Sequence, residues 1–94
     1  MRFYIKEERF EDFKANYEKY GFKIDHHGDY YKYVGNRRVV WVYKWNRSVT
    51  DLKIDHTTYD GYMYEGEYRH RTKTYIYDLI VDGYIEAKKE IQNG

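Results

Sequence analysis

Between Glu7 and Tyr20 the rings of Phe10, Phe13, Tyr17 and Tyr20 recur at steps of three, four and three residues. A helix turns once in about 3.6 residues, so this spacing stacks the rings on one stripe that has to be buried against another layer. Glu7, Glu8, Glu11 and Asp12 crowd the positive end of the helix dipole and Lys19 lies near the negative end. Gly21 then supplies the residue type that ends helices in the left-handed conformation. The sequence therefore predicts an N-terminal helix over 7–20 with an aromatic face.

What that face packs on is written after Gly21. Phe22–His27, Tyr30–Val34, Arg37–Trp45 and Val49–Ile54 are β-branched and aromatic runs, broken at His27-Gly28-Asp29, Gly35-Asn36 and Asn46-Arg47-Ser48. Residues 2–5 add a short β-favouring run, read as an edge strand. Without a single Pro, no strand is barred from the interior of the sheet. The expected fold is α+β: an antiparallel β-meander of about four to six strands, with the helix of 7–20 on one face. A second helix is expected over about 73–90, because Ile76, Leu79, Ile80, Gly83, Ala87 and Ile91 share one helical face and Glu86-Ala87-Lys88-Lys89-Glu90 are strong helix formers. The competing reading is a hairpin turning at Asp82-Gly83, and Gly83 would also serve to end the helix early.

Ninety-four residues support one core, so residues 1–94 are read as a single domain. The absence of Cys excludes disulfides and thiolate metal sites. No apolar run is long enough for a signal peptide or a membrane span, and a cytoplasmic location without membrane contact is expected. The formal net charge of +1 gives no global attraction to nucleic acid.

Chemistry-bearing patterns are sparse. Lys23-Ile24-Asp25-His26 recurs as Lys53-Ile54-Asp55-His56, and side by side these segments would gather His26, His27 and His56 near Asp25, Asp29 and Asp55. Their spacing is not that of a metal site, so the histidines are read as strand-end residues hydrogen-bonded to turn carboxylates, with no metal and no cofactor expected. Ser48, the one serine, has no glycine-rich elbow around it, and phosphate-cradling glycines are lacking. An enzyme is the least supported class.

The aromatic surplus is the informative feature. Fourteen Tyr, four Phe and two Trp are more rings than a core of this size absorbs with every hydroxyl satisfied. Along Arg37–Trp45 the two-residue period sets Val39, Trp41, Tyr43 and Trp45 on one face and Val40, Val42 and Lys44 on the other. If the helix takes the valine side, Trp41, Tyr43 and Trp45 join Tyr31 and Tyr33 in an aromatic platform; if it takes the other side, or a C-terminal helix covers the second, the same rings are core. Tyr59, Tyr62, Tyr64 and Tyr68, with Arg69 and Arg71 adjoining, form a tyrosine-rich segment suited to protein recognition. A short Tyr/Lys/Glu-rich chain of this kind resembles, in general character, the small accessory proteins of phages and mobile elements, which often bind and block a host protein. The leading expectation is a non-enzymatic protein-binding module, an inhibitor or regulator, using Tyr59, Tyr62, Tyr64, Tyr68, Arg69 and Arg71 toward another protein or a second copy as a homodimer. The alternative is a single-stranded nucleic-acid-binding domain using Arg37, Arg38, Trp41, Tyr43 and Arg47, whose mixture of cations and rings suits phosphates and bases.

Overall fold

A computed structural model describes residues 2–35, 37–56, 63–67 and 72–89. Among the described residues one antiparallel sheet is built from β1 (Arg2–Ile5), β2 (Lys23–Ile24), β3 (Tyr30–Gly35), β4 (Arg38–Val42), β5 (Ser48–His56), β6 (Met63–Glu67) and β7 (Ile85–Lys88). The strands run β2-β3-β4-β5-β1-β7, and β6 pairs with the far half of β5. β1 meets β5 at Phe3↔Val49 and β7 at Phe3↔Ala87, so the strand sits inside the sheet and not at its edge. The α+β class and the antiparallel sheet agree with the sequence pattern.

The N-terminal helix also forms, as α1 (Phe10–Asn16) flanked by tight 3-10 turns at Glu7–Arg9 and Tyr17–Tyr20. Phe13 and Tyr20 are buried, while Phe10 and Tyr17 pack half-buried against the same core. Gly21 closes the helix at φ 86°. Its N–H donates to the carbonyl of Glu18 and that of Phe22 to the carbonyl of Tyr17, which satisfies the last carbonyls in a Schellman motif.

The C-terminal half departs from expectation. The helix expected over about 73–90 is two short pieces, α2 (Thr72–Tyr75) and α3 (Tyr77–Val81). Gly83, at φ 80°, ends α3 by the same device: Gly83 N–H donates to Ile80 and Tyr84 N–H to Leu79. Ile85–Lys88 then continues as β7 along β1. Both glycines thus drop an aromatic ring, Phe22 or Tyr84, straight into the core, where each makes an edge contact with Phe13 at 5.5 and 6.3 Å.

That core lies between the helices and one sheet face. Ile5, Phe13, Tyr20, Phe22, Tyr30, Val40, Val42, Val49, Ile76, Leu79 and Tyr84 form it. Its polar exception is Asp51, fully buried opposite Val40 and paired with Arg38 at 3.2 Å. The hydroxyls that cannot be left dry find carboxylates at the margin: Tyr20 donates to Asp82 at 2.5 Å and Tyr84 to Asp12 at 3.2 Å. Arg9 stacks 4.2 Å above the Tyr84 ring and pairs with Asp12 at 3.3 Å.

Candidate functional site

The helices take the valine side, so the opposite sheet face carries the rings that the sequence left undecided. Register places Tyr31 opposite Trp41 and Tyr33 opposite Val39, with Thr50 and Leu52 of β5 beyond them. Tyr31 and Trp41 lie 5.2 Å apart between centroids, and Trp41 and Tyr43 are stacked at 6.0 Å with planes 3° from parallel. Val39, Trp41 and Leu52 form a second, smaller buried cluster. Trp41 is only 7% exposed, so it is the packed centre of this face and presents little surface.

Trp45 has a different place from the one the alternation predicted. β4 stops at Val42, and a closed turn replaces the rest of the expected strand Arg37–Trp45. Tyr43 N–H donates to Ser48 at 3.0 Å, Arg47 N–H to Tyr43 at 2.8 Å, and Ser48 N–H to the Asn46 side chain at 2.9 Å. Arg47 takes the left-handed conformation, φ 62°, and its Nε donates to the Ile5 carbonyl at 3.1 Å. Lys44 N–H is held by Asp29 Oδ1 at 2.9 Å. The result is a pinned turn that lifts Trp45 into solvent at 78% exposure. Tyr43 is half-buried beside it, and Tyr33 is 56% exposed on the ladder.

A second exposed apolar pair sits on α3, where Tyr77 and Val81, one helical turn apart, are 64% and 63% exposed. Between α3 and the end of the N-terminal helix lies a shallow groove of about 240 Å³ lined by Lys19, Tyr20, Tyr77, Asp78, Val81 and Asp82. That is below the roughly 300–1,000 Å³ of small-molecule sites, and the groove is open. The Tyr20 hydroxyl on its wall is held well above its ordinary pKa, first by the hydrogen bond to Asp82 and then by burial. Nearby, burial pulls the Lys32 amine below its usual value, partly offset by Asp78, while its Nζ donates to the Tyr20 carbonyl at 3.2 Å. The Tyr20 hydroxyl is thus tied to Asp82 at the groove wall, and the Lys32 amine caps the Tyr20 carbonyl.

The remaining sequence candidates are dispersed. Arg38 points to the helix side and pairs with Asp51, and Arg47 is spent on the Ile5 carbonyl, so neither joins Trp41 and Tyr43. Arg37 is exposed in the β3–β4 turn at φ 57°. The two Lys-Ile-Asp-His segments are kept apart, since β3 and β4 lie between β2 and β5. Asp25 is consumed in its own turn, accepting the N–H groups of His27 and Asp29 at 2.9 Å each, which also stops β2 after Ile24 where the sequence predicted a strand to His27. The His26 and His27 rings lie 3.9 Å apart in that turn. Among the described residues no three His, Cys, Asp or Glu side chains are grouped to hold a metal ion, and no helix is long and apolar enough to cross a membrane.

Tyr59, Tyr62, Tyr68, Arg69 and Arg71 lie outside the described residues. Tyr64 is placed by its backbone in β6, opposite Ile54 of β5. Tyr77 and Val81 were not anticipated as surface residues; the signal available was that Ile76, Leu79 and Ile80 claim the buried side of that helix and leave 77 and 81 to solvent. No protein-family model, curated protein or solved structure matches the chain.

Proposed function

We propose that this protein is a non-enzymatic protein-binding module that contacts its partner through exposed aromatic side chains. The observation that carries this reading is Trp45, a large ring held 78% exposed on a turn whose backbone is fixed at Tyr43, Lys44, Arg47 and Ser48. An exposed tryptophan on a pre-ordered turn loses little entropy on binding, and Trp and Tyr dominate the energetics of protein interfaces. Tyr43 and Tyr33 extend the surface along the ladder, and the composition of the tyrosine-rich segment 59–68 with Arg69 and Arg71 suits the same kind of contact. The resemblance in character to phage accessory proteins suggests a host protein as target, and inhibition or regulation as the outcome.

Single-stranded nucleic acid is the less favoured partner. Base stacking needs an open ring face beside phosphate-binding cations, and here Trp41 is packed while Arg38 and Arg47 are engaged elsewhere. The test is affinity capture from host extract with the wild type, Trp45→Ala, Tyr33→Ala and a Tyr62/Tyr64/Tyr68 triple alanine variant. A partner retained by wild type and lost from the Trp45 or triple variant supports the reading. Equal capture by every variant, or tight oligonucleotide binding that falls steeply with added salt, would replace it.

A further inference from the structure

Among the described residues one end of the sheet is β7, and the chemistry of that edge is self-complementary. In an antiparallel ladder successive residues point their N–H and C=O alternately toward one neighbour and away from it. Lys6 N–H donates to the Tyr84 carbonyl at 2.8 Å, and the register continues Ile5↔Ile85, Tyr4↔Glu86, Phe3↔Ala87, Arg2↔Lys88. Tyr84, Glu86 and Lys88 therefore turn their backbone groups toward β1. Ile85 and Ala87 turn theirs outward, and among the described residues no strand lies on that side. Ile5 confirms the parity from the other direction, because its own N–H donates to Arg47 and not to β7. Of the other described edges, β2 offers only two residues and β6, paired only with β5, has its register broken twice, whereas β7 offers four residues in unbroken register with β1, followed by exposed Lys89. An open strand with outward donors and acceptors is a template for another strand.

The side chains say which strand. Glu86 and Lys88 lie on one face, bridged at 3.2 Å, with Lys88 Nζ 5.1 Å from the Tyr4 ring. We propose that β7 pairs antiparallel with β7 of a second copy about a two-fold axis through Ala87. This register sets Ala87 against Ala87 and Ile85 against Lys89 as the hydrogen-bonded pairs, so every outward backbone group meets one from the other copy. It also sets Glu86 opposite Lys88 twice, in the closely spaced non-hydrogen-bonded positions where cross-strand charges interact most. Sliding the copies by two residues would instead oppose Glu86 to Glu86. The charges thus select one register as well as one partner. β5 and β1 separate this edge from the aromatic ladder on β3 and β4, so the interface stands on its own geometry and leaves the ladder accessible in the dimer.

Sedimentation equilibrium on the full chain, up to roughly 1 mM because an interface this small is a weak one, should follow a mass rising from 11.7 kDa toward twice that value. Glu86→Lys and Lys88→Glu each place like charges in both cross-strand pairs and should weaken association by about tenfold or more. The double swap, Glu86→Lys with Lys88→Glu, recreates opposite pairs and should restore it. Ala87→Pro removes an N–H that points away from β1, so the intramolecular ladder persists while the dimer is lost. Trp45→Ala should leave the mass distribution unchanged. A constant mass of 11.7 kDa at every concentration, a dimer indifferent to the single swaps, or a double swap that fails to restore association would each overturn the proposal.

Discussion

The two faces of one sheet have met the same problem, an excess of rings, in different ways. On the helix side Phe13 sits among Phe22, Tyr30 and Tyr84 in edge contacts, and the polar atoms of Tyr20 and Tyr84 are carried to Asp82 and Asp12 at the margin. On the other side Trp41 is walled in by Tyr31 and Tyr43, and Tyr33 and Trp45 stay in solvent. The difference is one of parity and of partner. Residues 40 and 42 face a layer of helices, whereas residues 31, 33 and 41 face out from the same two strands. A ring is buried where a second layer or flanking rings enclose it, as at Phe13 and Trp41, and stays in solvent where neither does, as at Tyr33 and Trp45.

The sharpest way to break this contrast is Phe13→Ala, which empties the centre of the helix-side core. Unfolding free energy should fall by about 4 to 5 kcal/mol in urea titration, the upper range for buried rings. Trp41→Ala should cost less, about 3 kcal/mol, because Tyr31 and Tyr43 are only half-buried around it and the space opens toward solvent. Equal losses at the two sites would mean that the outer cluster is as tightly enclosed as the inner one.

Tyr20→Phe comes next, at about 1 to 2 kcal/mol for a hydrogen bond to a carboxylate. It carries a pH signature. The folded state holds the Tyr20 proton more tightly than the unfolded chain, so this stabilisation is complete below the unfolded value of 10.0 and is lost as pH rises above it. Tyr30, raised by burial, acts in the same direction, whereas Lys32, lowered by burial, gives a gain as pH approaches its unfolded value of 10.5. Thermal melts above pH 10 should therefore show a steeper loss in the wild type than in Tyr20→Phe. Parallel curves would remove Tyr20 from the alkaline response. The smallest effect on stability belongs to Trp45→Ala, within about 0.5 kcal/mol, since an exposed ring far from the core contributes little. In fluorescence quenching the Trp45 signal should be accessible and the Trp41 signal protected, and the reverse would exchange their roles.

Much of this arrangement was legible in the residues. The ring stripe from Phe10 to Tyr20, its glycine stop and the alternation through Val39–Val42 carry their periods openly, and the buried residues follow them. What could not be read was anything decided by a distant partner. Glu86-Ala87-Lys88 has helical propensity, yet Gly83 ends α3 and the open side of β1 recruits the segment as a strand, since ladder bonds and the burial of Tyr84 outweigh a preference of a few tenths of a kcal/mol per residue. Trp45 was read onto a strand face because the alternation runs on past Val42. The break comes from Asp29 and Ile5, residues on other elements that capture Lys44 and Arg47. Arg38 reads in the sequence as a phosphate-binding candidate, but Asp51, thirteen residues on across the ladder, pairs with it.

The position of β1 has a further consequence, for how the protein assembles. Its neighbours are β5 and β7, and Phe3 must find Val49 on one flank and Ala87 on the other. Contacts so distant along the chain form late and cost loop entropy before they return any stability. The consecutive strands β2 to β6 can pair hairpin by hairpin, whereas β1 has to wait for β5 and then β7, so its insertion between them should be the late, slow step of assembly.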